Sequence, residues 1–190
     1  ACADWIKAAS LGDIFALKYA KKYCGDEVDV EASLESSMTG KGYMERATSR
    51  HYRKFDRETP RDFKGAISDY TKCIELGYKV RQAYINRAIA KESLNDYIGA
   101  IADYTKSIDE ERVAKLIRSG NPTEIYRITG DLKKEKLKDY LGAIEDYTKI
   151  IEWWDKISVK YDEVTGTYQY AFADIAELKY LLGDLNSACG

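Results

Sequence analysis

One short motif recurs three times in this chain and limits its fold more than any other feature. Each copy begins with Asp, continues with a Gly-Ala pair and reaches a Tyr four residues after the Ala, in the segments DFKGAISDYTKCIE, DYIGAIADYTKSID and DYLGAIEDYTKIIE. The alanines are Ala66, Ala100 and Ala143, and GDLNSAC near the carboxyl end offers a fourth at Ala188. Self-similarity at spacings of 34, 43 and 45 residues predicts an array of stacked structural repeats.

The motif itself predicts a turn followed by a helix. Its leading Asp (Asp62, Asp96, Asp139 and Asp184) stands where a helix needs an N-cap. The Ala and the Tyr four residues later share one helical face. The small Gly-Ala pair on the helix allows a second helix to approach closely. The preceding segment RQAYINRAIAKESLN also has helical periodicity. The repeated unit is therefore predicted to be a helix, a tight turn and a second helix.

Composition agrees with this prediction and narrows the class of protein. The chain holds only two prolines, and its glycines stand singly between helical stretches, which predicts an all-α fold. The 30 Lys and Arg nearly balance the 32 Asp and Glu, so no overall field favours nucleic acid or an anionic membrane. No apolar run of about 18 residues and no signal peptide are present. We expect a cytoplasmic protein, with a periplasmic or secreted location left open if a leader was removed.

A 34-residue helix-turn-helix unit with these small and aromatic residues resembles the tetratricopeptide repeat (TPR), in the style of bacterial and cyanobacterial repeats. Residues 81–114 match best, and YAFADIAELKYLLGDL matches again through Phe172, Ala176 and Leu182. The resemblance implies a right-handed solenoid of antiparallel helix pairs. Its repeats would lie near residues 43–80, 81–120, 122–163 and 167–190. The extra segments DEERVAKLI and EWWDKISVKYD predict second helices lengthened by about two turns in two repeats.

Two of the first helices depart from the pattern. In the segment 43–58, Lys54 stands where the second repeat has Ala88. In the third repeat Asp131 takes that place, with Gly130 just before it. We therefore expect both helices to pack with a local shift.

The two ends of the chain look like halves of one repeat. The opening segment ACADWIKAAS aligns with the second copy of the motif, so that Ala1 matches Ala100, Asp4 matches Asp103 and Trp5 matches Tyr104. The following segment LGDIFALKYAKKYC predicts a turn and a lysine-bearing capping helix. The last repeat has a full first helix but only about six residues of a second, far fewer than the ~12–15 at which an isolated helix is marginal.

Three arrangements can complete this split repeat. In trans, residues 1–24 of one molecule complete the repeat of the next, which gives a head-to-tail or domain-swapped oligomer. In cis, the same residues fold back through an acidic linker at 25–42, as in a circularly permuted monomer. In the third arrangement the half-repeat stacks on the helix at 43–58, its neighbour in sequence. Whether nature or engineering cut the repeat stays open.

We favour the trans arrangement on reach and on buried area. The 18 residues of the linker extend to at most about 60 Å, whereas eight stacked helices span roughly 70–80 Å. Each apolar contact residue contributes roughly 1.5–3 kcal/mol on burial. The predicted self-complementation residues are Ala1, Trp5, Ile6, Leu11, Phe15, Leu17, Leu181, Leu182, Leu185 and Ala188.

The resemblance also implies a groove for a peptide, because the first helices of TPR arrays line the concave face. Asn86 matches the position at which chaperone-binding members hold a peptide carboxylate. Thr129 stands where those members need a cation, so we do not expect a carboxylate clamp. Solvated helix surface is an equal alternative for the whole set. The implied groove residues are Gln82, Asn86, Ile89, Ser93, Thr129, Leu132, Tyr170, Asp174 and Glu177.

No residue pattern predicts catalysis, a metal site or a cofactor. The one histidine, His51, lies among basic residues and has no nucleophile or carboxylate pair in register. The segment TGKGY lacks the strand that a phosphate loop needs. The four cysteines, Cys2, Cys24, Cys73 and Cys189, have no metal-ligand spacing. We expect them to be thiols in a reducing compartment.

Nucleic acid is the alternative partner. Residues 41–64 hold eight Lys and Arg against four Asp and Glu, with Tyr43, Tyr52 and Phe55 among them, which suits phosphate contacts and base stacking. A solvated helix face, or a face that docks the acidic linker, is the favoured interpretation of this segment. The sequence as a whole predicts a non-enzymatic scaffold for protein interactions, with itself as the first partner and a peptide as the second.

Overall fold

The computed structural model describes residues 2–11, 13–24, 38–52, 61–108, 122–158 and 166–183, and these ranges contain helices and turns with no strand. The all-α prediction is therefore confirmed, while the TPR-like solenoid stays a prediction. Within these ranges no helix combines the length and the apolar character needed to cross a membrane. The described helices are α1 (Cys2–Ser10), α2 (Ile14–Tyr23), α3 (Gly40–Tyr52), α4 (Phe63–Glu75), α5 (Val80–Glu92), α6 (Tyr97–Ser107), α7 (Thr123–Leu132), α8 (Tyr140–Ser158) and α9 (Gly166–Leu181).

The chain divides into two compact units, Ala1–Asp103 and Tyr104–Gly190. In the first unit α3 packs on α4 and α4 packs on α5. In the second unit α7 packs on α8 and α8 packs on α9. The alanines and tyrosines of the motif lie at the centre of this packing, because all are buried: Ala66, Tyr70, Ala100, Tyr104, Ala143 and Tyr147.

The predicted N-caps are present at the three described copies of the motif. The capping carboxylate accepts a hydrogen bond of 2.8–3.0 Å from the N–H of the glycine three residues later. A Cβ on that glycine would collide with the same carboxylate, so the glycine serves the cap as well as the helix contact that we expected. Each glycine carbonyl also accepts a hydrogen bond from a cation of the preceding helix. The Asp and Gly pairs are Asp62 and Gly65, Asp96 and Gly99, and Asp139 and Gly142.

Three helix pairs follow the repeat: α3 with α4, α5 with α6, and α7 with α8. A buried carboxylate joins the two helices of each pair. In α6, Asp103 receives two hydrogen bonds from Arg87 of α5, at 2.7 and 2.6 Å, and lies 2.7 Å from Nζ of Lys91. Burial by itself would raise the pKa of Asp103, but the bonds from Arg87 and Lys91 outweigh burial and hold that pKa below its ordinary value. The carboxylate is therefore charged at neutral pH, and it ties the first helix to the second.

The same contact shows how the first pair departs from the expected register. Asp69 of α4 is bound by Arg46 at 2.6 Å and by Arg50 at 2.8 Å, both from α3. Arg46 and Arg50 thus occupy the places of Arg87 and Lys91, which puts the fully buried Ala47 where the second pair has Ala88. Ala47 therefore takes the place at which we expected Lys54, and Lys54 itself lies outside the described residues.

In the third pair, the expected local shift in packing arises from one additional residue that follows α7. A π-helical turn at Lys133–Leu137 follows α7 directly. It places Nζ of Lys133 2.8 Å from Oδ2 of Asp146, a charge contact rather than a well-aligned hydrogen bond. Gly130, and not Asp131, takes the place of Ala88, since a Cβ there would meet the ring of Tyr147. The π-helical turn accommodates one extra residue, so Lys133 still reaches the carboxylate of Asp146.

Helix bounds differ from the expected domain limits at the predicted linker and agree with the expected length of α8. α3 begins at Gly40 and Met38 is buried, so the described part of the predicted linker 25–42 is folded, and residues 25–37 lie outside the described ranges. α8 spans 19 residues against 13 in α4, which agrees with the predicted lengthening of that helix. The corresponding segment of the second repeat, 109–117, lies outside the described residues.

Replacing Asp103 with alanine should lower the free energy of unfolding by about 3–5 kcal/mol, because the variant leaves two cations beside a buried, empty position. The matched control is Glu75→Ala, which breaks the exposed pair of Glu75 and Lys72 at 2.8 Å and should cost less than about 1 kcal/mol. Urea unfolding followed by circular dichroism measures both values. Equal losses in the two variants would contradict the role given to Asp103.

Candidate functional site

The amino-terminal hairpin, defined as α1, α2 and the turn between them, is closed at both ends. Asp13 caps α2 by accepting hydrogen bonds from the N–H groups of Phe15 and Ala16, at 2.9 and 3.0 Å. At the open end Cys2 and Cys24 form a disulfide. For these two residues the expectation of free thiols is wrong. The signal was present in the sequence, because the two cysteines flank two predicted helices of similar length whose outer ends must meet.

The hairpin packs on α3 of its own chain. Ala9, Ala16 and Ala20 belong to one buried cluster with Tyr43 and Ala47. The carbonyl of Ser10 accepts a hydrogen bond of 3.2 Å from the N–H of Thr39, at the start of α3. Of the three arrangements considered, this contact is the third, in which the half-repeat stacks on its neighbour in sequence.

Packing on α3 leaves another face of the hairpin uncovered. The ring of Trp5 lies 5.9 Å from that of Tyr19 and 5.7 Å from that of Tyr23, and the two tyrosine rings stack at 6.1 Å. Both tyrosines are exposed, and Phe15 is 75% exposed. We did not single out Tyr19 and Tyr23 from the sequence, although their spacing of four residues places them on one helical face. The result is an aromatic surface with Trp5 at its base.

Helix α9 is the second described element with several large apolar side chains exposed, and these are spread around the helix rather than gathered on one face. Ala171 and Leu178 are buried and belong to the cluster that includes α8 residues such as Ala143 and Tyr147. Much of the remaining circumference of α9 is apolar and exposed, which for a helix of a folded domain indicates an interaction surface. Its exposed large apolar residues, together with the adjoining turn, are Tyr170, Phe172, Tyr180, Leu181 and Leu182.

The predicted self-complementation residues fall into three groups. Leu11, Phe15, Leu181 and Leu182 are exposed on the two surfaces just described. Trp5 and Ile6 are half-buried within the hairpin. Ala1, Leu185 and Ala188 lie outside the described residues, as does the side chain of Leu17.

Several predicted groove residues take part in contacts within the chain. Asn86 is only 8% exposed, and its Oδ1 accepts a hydrogen bond of 2.8 Å from Gln82. Thr129 is buried and donates to carbonyls of its own helix, and Leu132 is buried in α7. Ile89 is half-buried. These side chains offer little to a ligand in this conformation.

The carboxylates predicted to line the groove on α9 are engaged by one lysine. Nζ of Lys134 lies 2.9 Å from Asp174 and 2.5 Å from Glu177. The exposed groove residues without such a contact to Lys134 are Gln82 and Ser93, on the first unit, and Tyr170, which is 68% exposed on α9. The sequence pattern therefore selected residues that serve packing and ion pairing as well as surface.

The basic segment 41–64 is partly neutralised. Arg46 and Arg50 bind Asp69, and Lys41 lies 3.7 Å from Glu45. Residues 53–60, with three further cations and Phe55, lie outside the described ranges. Lys41, Arg46 and Arg50 are thus paired within the fold, whereas Arg61 and Lys64 are exposed, so less of this segment's charge is available to nucleic acid than the sequence suggested.

His51 and Cys73 have the surroundings of structural residues. The His51 ring stacks on Tyr52, and its Nδ1 lies 3.4 Å from the hydroxyl of Tyr70. Burial and the nearby charge of Arg61 lower the pKa of His51 from its ordinary value. Burial raises the pKa of the Cys73 thiol to about 12, so that thiol stays protonated at neutral pH. In the part of the chain that the structure describes, no three His, Cys, Asp or Glu side chains could hold a metal ion.

Comparison of the chain with protein-family models, with curated proteins and with solved structures found no match. The function is therefore argued from the surfaces of the hairpin and of α9.

The double variant Cys2→Ser, Cys24→Ser should unfold its hairpin more easily, by about 3 kcal/mol, because the cross-link removes chain entropy from an unfolded loop of this length. Denaturant unfolding monitored by tryptophan fluorescence measures the loss. In the wild type, peptide mapping without reductant should recover the Cys2 and Cys24 peptides joined to each other. Cys189→Ser is the control and should leave that linkage unchanged, and recovery of the two peptides as separate thiols would contradict the disulfide.

The buried histidine predicts a pH dependence of stability. Its folded-state pKa lies below the ordinary 6.5, so near that pH the unfolded chain binds more protons than the folded chain. The stability of the wild type should therefore fall as the pH falls from about 7 to about 5. In His51→Gln, which has no titrating side chain at this position, the curve should be flatter over the same range. Parallel curves for the two proteins would show that His51 titrates normally.

Proposed function

We propose that the protein is a non-enzymatic interaction scaffold that associates with further copies of itself, through the aromatic surface of its amino-terminal hairpin and the exposed apolar side chains of α9. The observation that carries the proposal is the distribution of exposed apolar side chains. Among the described residues, nine of the fifteen large hydrophobic side chains that are exposed lie on the hairpin or on α9 and its adjoining turn. Apolar surface concentrated in this way is typical of protein interfaces.

The residue patterns of the two surfaces are complementary. α9 has the aromatic and small residues of a first helix, at Phe172 and Ala176, and such helices pack against a second helix in each described pair. α1 has the pattern of a second helix, with Trp5 at the place of Tyr104. Tyr104 is buried, whereas Trp5 is only half-buried beside exposed tyrosines. Docking α9 of another copy on α1 would bury the ring of Trp5 as fully as the ring of Tyr104 is buried.

Packing of the hairpin on α3 is compatible with this docking. α1 meets α3 through its carboxyl-terminal end, where Ala9 and Ser10 are buried. The residue of α1 that corresponds to the buried Asp103 of α6 is Asp4, and Asp4 is exposed. We therefore propose that the hairpin uses one face within its own chain and a second face between copies. A contact between two different surfaces produces a ring or a filament.

The TPR-like architecture that we expected from the sequence fits this role. Its support lies in the three described N-caps, the buried Ala and Tyr of the three described motifs and a left-handed residue just before three of the capping positions that the sequence predicts. Those residues are Asn95, Lys138 and Gly183, with φ of 61°, 57° and 80°. A peptide ligand and a nucleic acid remain predictions with less support, because the residues proposed for them are largely used within the fold.

The disulfide between Cys2 and Cys24 is relevant to the cellular compartment in which the protein works. Disulfides persist in oxidising surroundings and are rare in reducing ones. Cys73 is buried and protonated, so it is protected from exchange with a neighbouring disulfide. We propose that the protein works in the periplasm or outside the cell rather than in the cytoplasm.

Light scattering over a concentration series from about 1 µM to about 1 mM tests self-association. The wild type should show a mass above that of one chain, rising with concentration. Phe15→Asp and Phe172→Asp each place a charge on one of the two surfaces and should shift the rise to higher concentration by about tenfold or more. Both side chains are exposed, so both variants should fold normally.

Ile98→Asp is the matched control. Ile98 is 73% exposed on α6, outside the two surfaces, so the same change there should leave the mass curve unaltered. A wild type that stays a monomer over the whole range would overturn the proposal and favour the cis or sequence-neighbour arrangement as the complete state of the molecule.

A further inference from the structure

We infer that Asp4 of one copy forms an ion pair with Lys179 of a second copy, and that this pair sets the register in which α9 docks on the hairpin. The inference rests on the proposed self-association and names the residues that would give it specificity. It follows from a contact that the structure repeats three times.

The repeated contact is the buried carboxylate of each second helix. Asp69, Asp103 and Asp146 each stand three residues after the motif alanine, and each lies within 2.8 Å of a cation of the preceding first helix. The cations concerned are Arg50, Lys91 and Lys133. A docked first and second helix in this protein is therefore marked by one such pair.

Lys179 stands at the cation position of α9. It precedes Asp184 by five residues, as Lys91 precedes Asp96 by five. Gly183 and Asn95, the residues just before these two aspartates, share left-handed φ values of 80° and 61°. The agreement in spacing and in backbone conformation assigns Lys179 to the place of Lys91.

Asp4 stands at the carboxylate position of α1. Ala1, Asp4 and Trp5 have the same spacing as Ala100, Asp103 and Tyr104. The carboxylates of α4, α6 and α8 are buried, whereas Asp4 is exposed. Asp4 has an interaction within its own chain, and it keeps exposed surface for a first helix of a second copy.

The pair would act on specificity more than on affinity. Asp4 and Lys179 each have an interaction within their own chain, and the pair between copies would join or replace it. A correct register brings opposite charges together, whereas a displaced register leaves a charge against an apolar surface, which costs free energy. Reversing one charge should therefore weaken docking, and reversing both should restore it.

Mixing two single variants tests the pair without relying on either variant alone. In Asp4→Lys, two lysines would meet at every contact, and in Lys179→Asp, two aspartates would meet. Each variant alone should need about tenfold or higher concentration to assemble. In an equimolar mixture every contact between unlike variants again joins opposite charges, so the light-scattering mass should return to that of the wild type.

The control is Lys7→Asp, which makes the same change of charge as Lys179→Asp on the exposed side of α1. Lys7 matches Lys106, which is exposed in α6, so this variant should assemble as the wild type does. Circular dichroism and unfolding curves of each variant confirm that it is folded before mixing.

The outcomes separate this inference from the proposed function. Restoration by mixing supports the pair, because a variant that failed for lack of folding would not be rescued by another. If the wild type assembles and the single variants assemble equally well, or if both fail and mixing does not restore assembly, the pair is overturned while self-association stands. A wild type that remains a monomer overturns both.

Discussion

The described helix pairs depend on a carboxylate that is buried between two helices and held by cations of the first. Removing a charge from water is costly, and the cost is met here only because each carboxylate has a cation, or two, at ion-pair distance. The arrangement fixes more than stability. A buried Asp tolerates only one placement of its Arg or Lys, so the contact determines which turn of the first helix faces the second. Apolar packing alone determines this register less strictly, because two apolar surfaces can shift along each other.

This dependence explains which parts of the fold could be predicted from the sequence. The all-α class, the caps at Asp62, Asp96 and Asp139, and the buried Ala and Tyr positions follow from local rules, because each involves residues within one or two turns. The alignment of Lys54 with Ala88 failed because equal spacing was assumed between helices. The true equivalence, Ala47 with Ala88, depends on which arginines reach Asp69, and that is a contact across 19 to 23 residues of chain.

Of the residues on the exposed surfaces, some were predicted from the sequence and others were missed. Phe15 and Leu181 were predicted among the apolar residues that would complete the split repeat, and both are exposed. Tyr19 and Tyr23 were missed, because their helix was interpreted from its lysines as a cap and its tyrosines were not considered. Groove residues such as Asn86 and Asp174 were chosen by position in the TPR pattern. Position does not reveal that a neighbour, Gln82 or Lys134, already uses the polar group.

The π-turn at Lys133–Leu137 has a consequence for how such an array can vary. An added residue in a helix would ordinarily rotate everything beyond it by about 100° and turn the lysine away from its carboxylate. Here the widened turn confines the extra residue to one loop of backbone, and the cation still reaches Asp146. A unit of this kind can therefore gain a residue after duplication without losing its partner helix. Copies of unequal length can thus share one packing scheme, and the copy number of the motif can grow without each copy being identical.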